Sequence, residues 1–469
     1  MALDKLAGLL GSSGLLTPED GLQRYESEWR GRYQSRALAV ARPADLSTLA
    51  AVVKYCARHQ IPIVAQGGNT GLVGGAVAGG ERRELILSLE RMKAIRELDA
   101  SSASMTVEAG CTLEQASRAA ADAGWRLPLA LSSGGSATIG GVLATNAGGN
   151  ETIRFGNARA MVLGVEAVFP DGSLWQGLSA LRKDNSGYDL AQLLVGSEGT
   201  LAVISAATLA LQPMPRQRET VWLAVDSPQA ALAVLARVRR ALGETLTAFE
   251  LMPAQAMAFV LDYLDGAGCP VEATSPWHVL IECDSAVVGT WLRSTLLEVL
   301  EAVIEHGEAT DGALAQSEIQ RAAFWQLRES ISDAQGLGGV SLKHDVSVPT
   351  VAIPEFIERT LAELAVLVPG IRPCVFGHVG DGNLHFNLSQ PEAMSADAFR
   401  ALEEQINHCV FARVRSLDGS IAAEHGVGLL RRERLAGTKD PAALEAMKRI
   451  KRALDPLGLL NPGKVLPSE

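Results

Sequence analysis

Gln66-Gly67-Gly68-Asn69-Thr70-Gly71-Leu72-Val73-Gly74-Gly75 follows an apolar segment, Ile61 to Ala65, that reads as a buried strand. Such a run exposes consecutive backbone N–H groups, a nest of donors able to hold a pyrophosphate. The run does not match GxGxxG, and no other segment does, so a Rossmann dinucleotide domain is unsupported. Gly458 to Lys464 nearly imitates a P-loop, but Val465 stands where Ser or Thr is required.

Two further glycine-dense segments lie in the same half of the chain. One is Ser132 to Gly141, continuing through Ala144-Thr145-Asn146-Ala147-Gly148-Gly149; the other is Gly196-Ser197-Glu198-Gly199-Thr200. A single cluster of this kind is as readily a mobile loop. Three at the ends of strand-like segments favour a large cofactor packed closely against backbone. Around them the pattern alternates strand and helix. Ala37 to Pro43 reads as a strand and Asp45 to Arg58 as an amphipathic helix capped by Asp45; strands are expected at Met161–Phe169, Leu193–Val195 and Ala202–Leu211. Pro213 and Pro215 break the pattern and mark a domain boundary. Beyond it, helices are expected at Gln229–Leu242, Ser317–Ala334, Glu403–Ser416 and Ala442–Leu454, with a strand at Trp277–Glu282.

Composition narrows the class. The chain has 469 residues, 47% hydrophobic and 20% charged, which is ordinary for a soluble globular protein. A net charge of −11 argues against nucleic acid or an anionic membrane as a main partner. No apolar run approaches a membrane span, and the N-terminus lacks the pattern of a signal peptide, so a cytoplasmic location is the expectation. The six cysteines are scattered without a CxxC, which disfavours disulfides and iron–sulfur clusters. Electrons handled here would leave through a separate partner.

Phe376 to Leu388, FGHVGDGNLHFNL, carries a second signal. Asp381-Gly382 predicts a two-residue type I′ hairpin, which would set His378 directly opposite His385 on one sheet face. Two imidazoles so placed can grip a divalent metal, with Glu424 of Ala423-Glu424-His425-Gly426 as a carboxylate third ligand. Two imidazoles and a carboxylate suit zinc, with manganese and iron as alternatives. Asn387 shares the face of His385. The competing reading is a pair of ordinary sheet histidines.

Taken together, PIVAQGGNTGLVGG, SGGSATIGGVLATNAGG, DNSGYDLAQLLVGSEGTLAVI, FGHVGDGNLHFNL, AAEHGVG and LNPGK resemble the FAD-linked oxidases of the vanillyl-alcohol-oxidase/PCMH superfamily. The likeness is strongest to its D-2-hydroxyacid dehydrogenases, such as D-2-hydroxyglutarate and D-lactate dehydrogenases, and runs from about Ala37 to Pro467. It implies an α+β fold with an N-terminal segment (1–36) and a PCMH-type FAD-binding domain of two α+β subdomains (37–215). An α+β substrate-binding cap with an antiparallel sheet (216–418) and a C-terminal segment completing the FAD site (419–469) would follow. It also implies non-covalent FAD held by Gly67, Gly68, Asn69, Thr70, Gly71, Leu72, Gly74 and Gly75. Ser136, Ile139, Gly140, Gly141, Thr145, Asn146, Gly148, Glu198, Gly199, Val203 and Asn461 would complete the cofactor site.

The same resemblance gives the chemistry. A metal on His378, His385 and Glu424 would chelate a 2-hydroxyacid and lower its hydroxyl pKa. His425, next to Glu424, is the candidate general base, since imidazole titrates near neutral pH. Arg328 and Ser332, four apart on one expected helix, share a face. With Lys343 they match the Arg, Thr and Lys that contact substrate carboxylates in hydroxyglutarate dehydrogenases, Ser332 standing where Thr is familiar. Asn387 would hold the substrate carboxylate or hydroxyl. D-2-hydroxyglutarate is the leading substrate, and D-lactate or glycolate the alternative. An electron-transfer flavoprotein or a quinone reached through a partner would accept the electrons, and a homodimer is expected. A metal-dependent hydrolase or a non-catalytic flavin-binding protein would leave either the glycine segments or the metal ligands without a purpose.

Overall fold

A computed structural model describes residues 2–11, 13–79 and 83–467. The chain forms two compact units, Met1–Gly149 with Gly156–Met214 and Glu424–Glu469, and Asn150–Phe155 with Pro215–Ala423. It leaves the first unit after Met214 and re-enters it at Glu424.

The first unit has two main sheets. In one, β1 (Leu15–Leu16), β2 (Ala39–Ala41), β3 (Ile63–Gln66) and β4 (Leu85–Ser88) lie in the order β1-β2-β4-β3, parallel except for β1. Parallel neighbours require a crossover. Here α1 (Leu46–His59) supplies it, with the Asp45 carboxylate accepting the Thr48 N–H at 2.8 Å and Leu49, Val52, Val53 and Cys56 facing the core. β2 and β4 are buried along their whole length, as strands covered on both faces must be. The other sheet is antiparallel: β5 (Ile95–Asp99), β6 (Ser104–Glu108), β7 (Val162–Val168), β8 (Leu174–Gly177) and β9 (Val203–Ala210), in the order β5-β6-β9-β7-β8. A short helix, α2 (Ile139–Thr145), lies within the second glycine segment, and another, α3 (Leu190–Leu194), precedes the third. The strand expected at Leu193–Val195 is therefore corrected to a helix. Asp189 caps α3 by accepting the Gln192 N–H at 3.0 Å, and a short apolar run cannot by itself tell strand from buried helix.

In the second unit, β10 (Gln217–Val225), β11 (Leu246–Pro253), β12 (Trp277–Ser285) and β13 (Asp311–Leu314) form an antiparallel sheet ordered β11-β12-β10-β13. Alternation along the strands separates its faces. Val221, Leu223, Phe249, Leu251 and Ile281 pack with α4 (Pro228–Leu242) and α5 (Trp291–Glu305), whereas Trp222, Ala248, Met252 and Leu280 pack with α6 (Glu318–Glu329). α7 (Ile331–Leu337) follows α6 after Ser330. The single helix expected over Ser317–Ala334 is thus divided, because Ser330 at φ −75°, ψ −9° departs from α-helical geometry.

A second antiparallel sheet in this unit, β14 (Ser341–Ser347), β15 (Arg372–Phe376) and β16 (Asn383–Ser389), has the order β14-β16-β15. Its register corrects the expected hairpin. Phe376, not His378, lies opposite His385, and residues 377–382 form the connection. Asp381 does not adopt positive φ, so no type I′ turn forms. The physical cause is competition from β11. Gly377 exchanges both backbone hydrogen bonds with Leu251 at 3.0 Å, and the Gly380 N–H donates to the Phe249 carbonyl at 3.3 Å, drawing the chain out of the hairpin.

Candidate active site

In the first unit, Gly67, Gly140, Gly141, Gly199 and Val203 line one cleft together with Ala65, Ala144 and Ser197. All three glycine segments reach it. They meet at contact distances that leave no room for side chains: a Cβ on Gly68 would stand 1.8 Å from the Ser136 carbonyl oxygen. Their donors differ. No backbone N–H from Gly67 to Gly75 donates a hydrogen bond to any group among the described residues, so this loop remains a set of donors for an anion. By contrast, the N–H groups of Ile139 and Gly140 donate to the Cys111 and Ala109 carbonyls, and those of Gly196, Ser197 and Glu198 to Leu143, Leu194 and Ala144. Likewise the Thr145 hydroxyl donates to the Gly141 carbonyl, and Asn146 Oδ1 accepts the Arg159 N–H. The other expected cofactor residues, Gly68, Asn69, Thr70, Gly71, Leu72, Gly74, Gly75, Ser136, Ile139, Thr145, Asn146, Gly148, Glu198 and Asn461, are not among the residues that line this cleft.

Thr138 was not singled out in the sequence. It stands at the N-cap of α2 yet makes no side-chain cap, and its buried Oγ1 has no hydrogen-bond partner among the described residues. That hydroxyl occupies the space where a Gly67 Cβ would be, 2.2 Å from the ideal Cβ position. A buried, unsatisfied hydroxyl between two cleft glycines fits a polar cofactor placed there.

Asn461 ties the cleft together from the C-terminal tail. Its Oδ1 accepts the Ala65 N–H at 3.1 Å, and its Nδ2 donates to the carbonyls of Gly75 and Glu198 at 3.3 and 2.6 Å. The Asn461 N–H also donates to the Ile63 carbonyl, extending the edge of β3. The N-terminal segment braces the first loop: Gln66 Nε2 donates to the Tyr25 carbonyl and Asn69 Nδ2 to that of Ser27, at 2.9 and 2.8 Å. The Glu198 carboxylate accepts the N–H groups of Val427 and Gly428 at 2.7 and 2.8 Å, fixing the loop that begins at Glu424 and His425, both half-buried. Gly426 is required there, since at φ +79° a Cβ would meet Glu198 Oε1 at 2.8 Å. Burial pushes Glu198 above the usual carboxylate range, against the two N–H donors and Arg431.

In the second unit the two expected metal-binding imidazoles lie together despite the altered register. The rings of His378 and His385 are 5.6 Å apart at 77°. The structure adds a residue that sequence reasoning missed, Glu250 on β11, which is fully buried. His378 Nδ1 lies 2.6 Å from Glu250 Oε1, and Arg328 Nε donates to Glu250 Oε2 at 2.7 Å. Arg328 lies over the Phe376 ring at 4.8 Å, and Phe376 is 5.1 Å from His385. The contacts close a circuit: His378, Glu250, Arg328, Phe376, His385. Burial works to raise the Glu250 pKa, but Arg328 and His378 outweigh it and hold the carboxyl at about 2. With Nδ1 turned to a carboxylate, Nε2 is the His378 atom that a metal would take. Glu424 belongs to the other unit.

The expected substrate residues divide. Lys343 lies opposite Asn387 across β14 and β16, and both share the face that carries His385. Asn387 Nδ2 donates to the buried Gln335 at 3.0 Å, and Gln335 donates in turn to Ser389. Arg328 and Ser332 differ in burial: Arg328 is buried on α6, whereas Ser332 is exposed on α7. Lys343 Nζ reaches the backbone carbonyl of Ser332 at 3.4 Å.

Known proteins share this organisation. An FAD binding domain family matches residues 37–177, and the C-terminal domain of FAD linked oxidases matches residues 214–465. The chain is 38% identical over 451 residues to a D-2-hydroxyglutarate dehydrogenase of Xanthomonas citri pv. viticola, covering 96% of this chain and 94% of that one. It is 37% identical over 455 residues to the mitochondrial D-2-hydroxyglutarate dehydrogenase of Bos taurus, covering 97% and 81%. The fold is similar to that of p-cresol methylhydroxylase with substrate bound, at a TM-score of 0.75 and 17% identity over 99% of this chain and 96% of that one. Among the described residues, no helix is long and apolar enough to cross a membrane.

Proposed function

Because the chain belongs to the FAD-linked oxidases and is an FAD-dependent oxidoreductase, we propose that it oxidises D-2-hydroxyglutarate to 2-oxoglutarate with the help of a divalent metal. The observation that carries this reading is the neighbourhood of His378 and His385. A buried guanidinium, a lysine and an amide lie on the elements around two imidazoles, which suits a ligand with a metal-chelating end and a distal carboxylate.

The residues then divide the work. The free N–H groups from Gly67 to Gly75, with Thr138, Gly141, Gly199 and Asn461, would hold FAD; His378 Nε2, His385 and Glu424 would hold the metal, for which zinc is the best match. When bound, FAD supplies the acceptor for the C2 hydride and the metal supplies Lewis acidity at the hydroxyl it chelates. His425 takes the hydroxyl proton as general base. Lys343 and Asn387 orient a carboxylate, and Arg328 offers its remaining N–H groups to the distal one.

A D-lactate or glycolate dehydrogenase is the second reading. It draws on one observation: the Arg328 charge is already offset by Glu250, which lessens the pull on a second carboxylate. Steady-state rates with an artificial electron acceptor separate the two. The proposal expects kcat/KM for D-2-hydroxyglutarate to exceed that for D-lactate at least tenfold and to fall on chelation. A preference for D-lactate would transfer the assignment, and indifference to chelators would remove the metal from it.

A further inference from the structure

We propose that Glu250 is the positioning residue of this site, fixing His378 as the Nδ1–H tautomer so that Nε2 carries the lone pair for a metal, while anchoring the Arg328 guanidinium. The inference rests on the metal-assisted reading above and deepens it.

Glu250 meets the circuit of side chains around the imidazoles with both of its oxygens: Oε1 at 2.6 Å from His378 Nδ1 and Oε2 at 2.7 Å from Arg328 Nε. A carboxylate only accepts, so each partner must present an N–H to it. For neutral histidine this decides the tautomer. The proton sits on Nδ1, and Nε2 keeps its lone pair. The arrangement is built rather than incidental, because Glu250 is fully buried and its strand neighbours are apolar, Ala248-Phe249 before it and Leu251-Met252 after it. A buried anion with no partner would be costly, and here both partners point to one place. Backbone geometry supports the same end, since the Gly377–Leu251 bridge places the residue before His378 beside the residue after Glu250. Arg328, in turn, is locked between the carboxylate and the Phe376 ring, which itself neighbours His385. One carboxylate thereby orients groups at both ends of the proposed substrate.

Two measurements test this on the full chain. Long-range proton–nitrogen correlation spectra of chelator-treated protein labelled with ¹⁵N-histidine, at pH 8.5, report the tautomer directly, with His378→Gln assigning the signal. The expected result is a protonated Nδ1 and a bare Nε2; a proton on Nε2 overturns the proposal. In parallel, Glu250→Gln can accept from only one of its two partners, so zinc affinity measured by chelator competition should fall 10–100-fold. FAD content and the far-ultraviolet circular dichroism should remain those of the wild type. Zinc affinity within twofold of wild type in a folded variant would overturn the proposal; if the variant fails to fold, the wild-type tautomer decides alone. A wild-type protein that binds no zinc would contradict the metal-assisted reading itself, while the tautomer would still decide the role of Glu250.

Discussion

Replacing Thr138 with valine should have opposite effects on the flavin-free and flavin-loaded protein. The substitution preserves shape, and the extended backbone of Thr138 (φ −102°, ψ 153°) suits a β-branched residue. What it deletes is a buried hydroxyl that has no partner among the described residues and provides no helix cap. Burying such a group unsatisfied costs about 1–3 kcal/mol, so flavin-free Thr138→Val should be more stable than wild type by about 1 kcal/mol. If the hydroxyl bonds to FAD, its loss removes about 1 kcal/mol of binding, roughly a fivefold rise in Kd. Urea unfolding of deflavinated protein and fluorescence titration with FAD measure the two quantities. A destabilised flavin-free variant, or an unchanged Kd, would refute the assignment of this hydroxyl to the cofactor cleft.

Asn461→Ala should destabilise the first unit by about 3 kcal/mol, because the Ala65 N–H and the Glu198 and Gly75 carbonyls lose their partner. Asn461→Gly should be about 1 kcal/mol milder, since Asn461 has φ +43°, and chemical denaturation of the pair would show that order. Lys464 is buried, its Nζ lacks a hydrogen-bond partner among the described residues, and burial lowers its pKa to about 8 against the pull of Glu84. Between that value and the ordinary 10.5 the unfolded chain binds more protons, so this group makes stability rise with pH across the window. Lys464→Met should therefore exceed wild type by about 3 kcal/mol below pH 8 and lose that advantage as pH climbs towards 10.5, as urea titrations at pH 7 and 9.5 would record. His385→Ala should abolish tight metal binding and turnover while leaving FAD content unchanged, which metal analysis and the visible spectrum of the same sample test together.

Much of the fold is legible because its signals are local. Asp45 marks the start of α1, the helix over Glu403–Ser416 is bounded as its periodicity predicts, and Val203–Ala210 reads as a continuous buried strand. The errors arise where a distant segment decides. Asp381-Gly382 carries a strong turn signal, but β11 captures Gly377 and Gly380 and shifts the register by two residues. At the site, histidines flanked by glycines are visible in a sequence, and the imidazoles do meet. Glu250 is not visible in that way: one acidic residue in an apolar strand shows only that some partner exists, and His378 and Arg328 become those partners through folding. The one local clue was that a charge inside Leu246–Pro253 cannot be buried unpaired. Thr138 was hidden for the opposite reason, since a threonine before a helix reads as an ordinary cap.

The most direct test of the account is an anaerobic visible spectrum of the purified protein, recorded before and after addition of D-2-hydroxyglutarate, with D-lactate and L-2-hydroxyglutarate as controls. The account predicts an oxidised flavin spectrum that bleaches with the D-diacid, more slowly after chelation, and not with the L-enantiomer. A flavin spectrum that D-2-hydroxyglutarate leaves unchanged would contradict it.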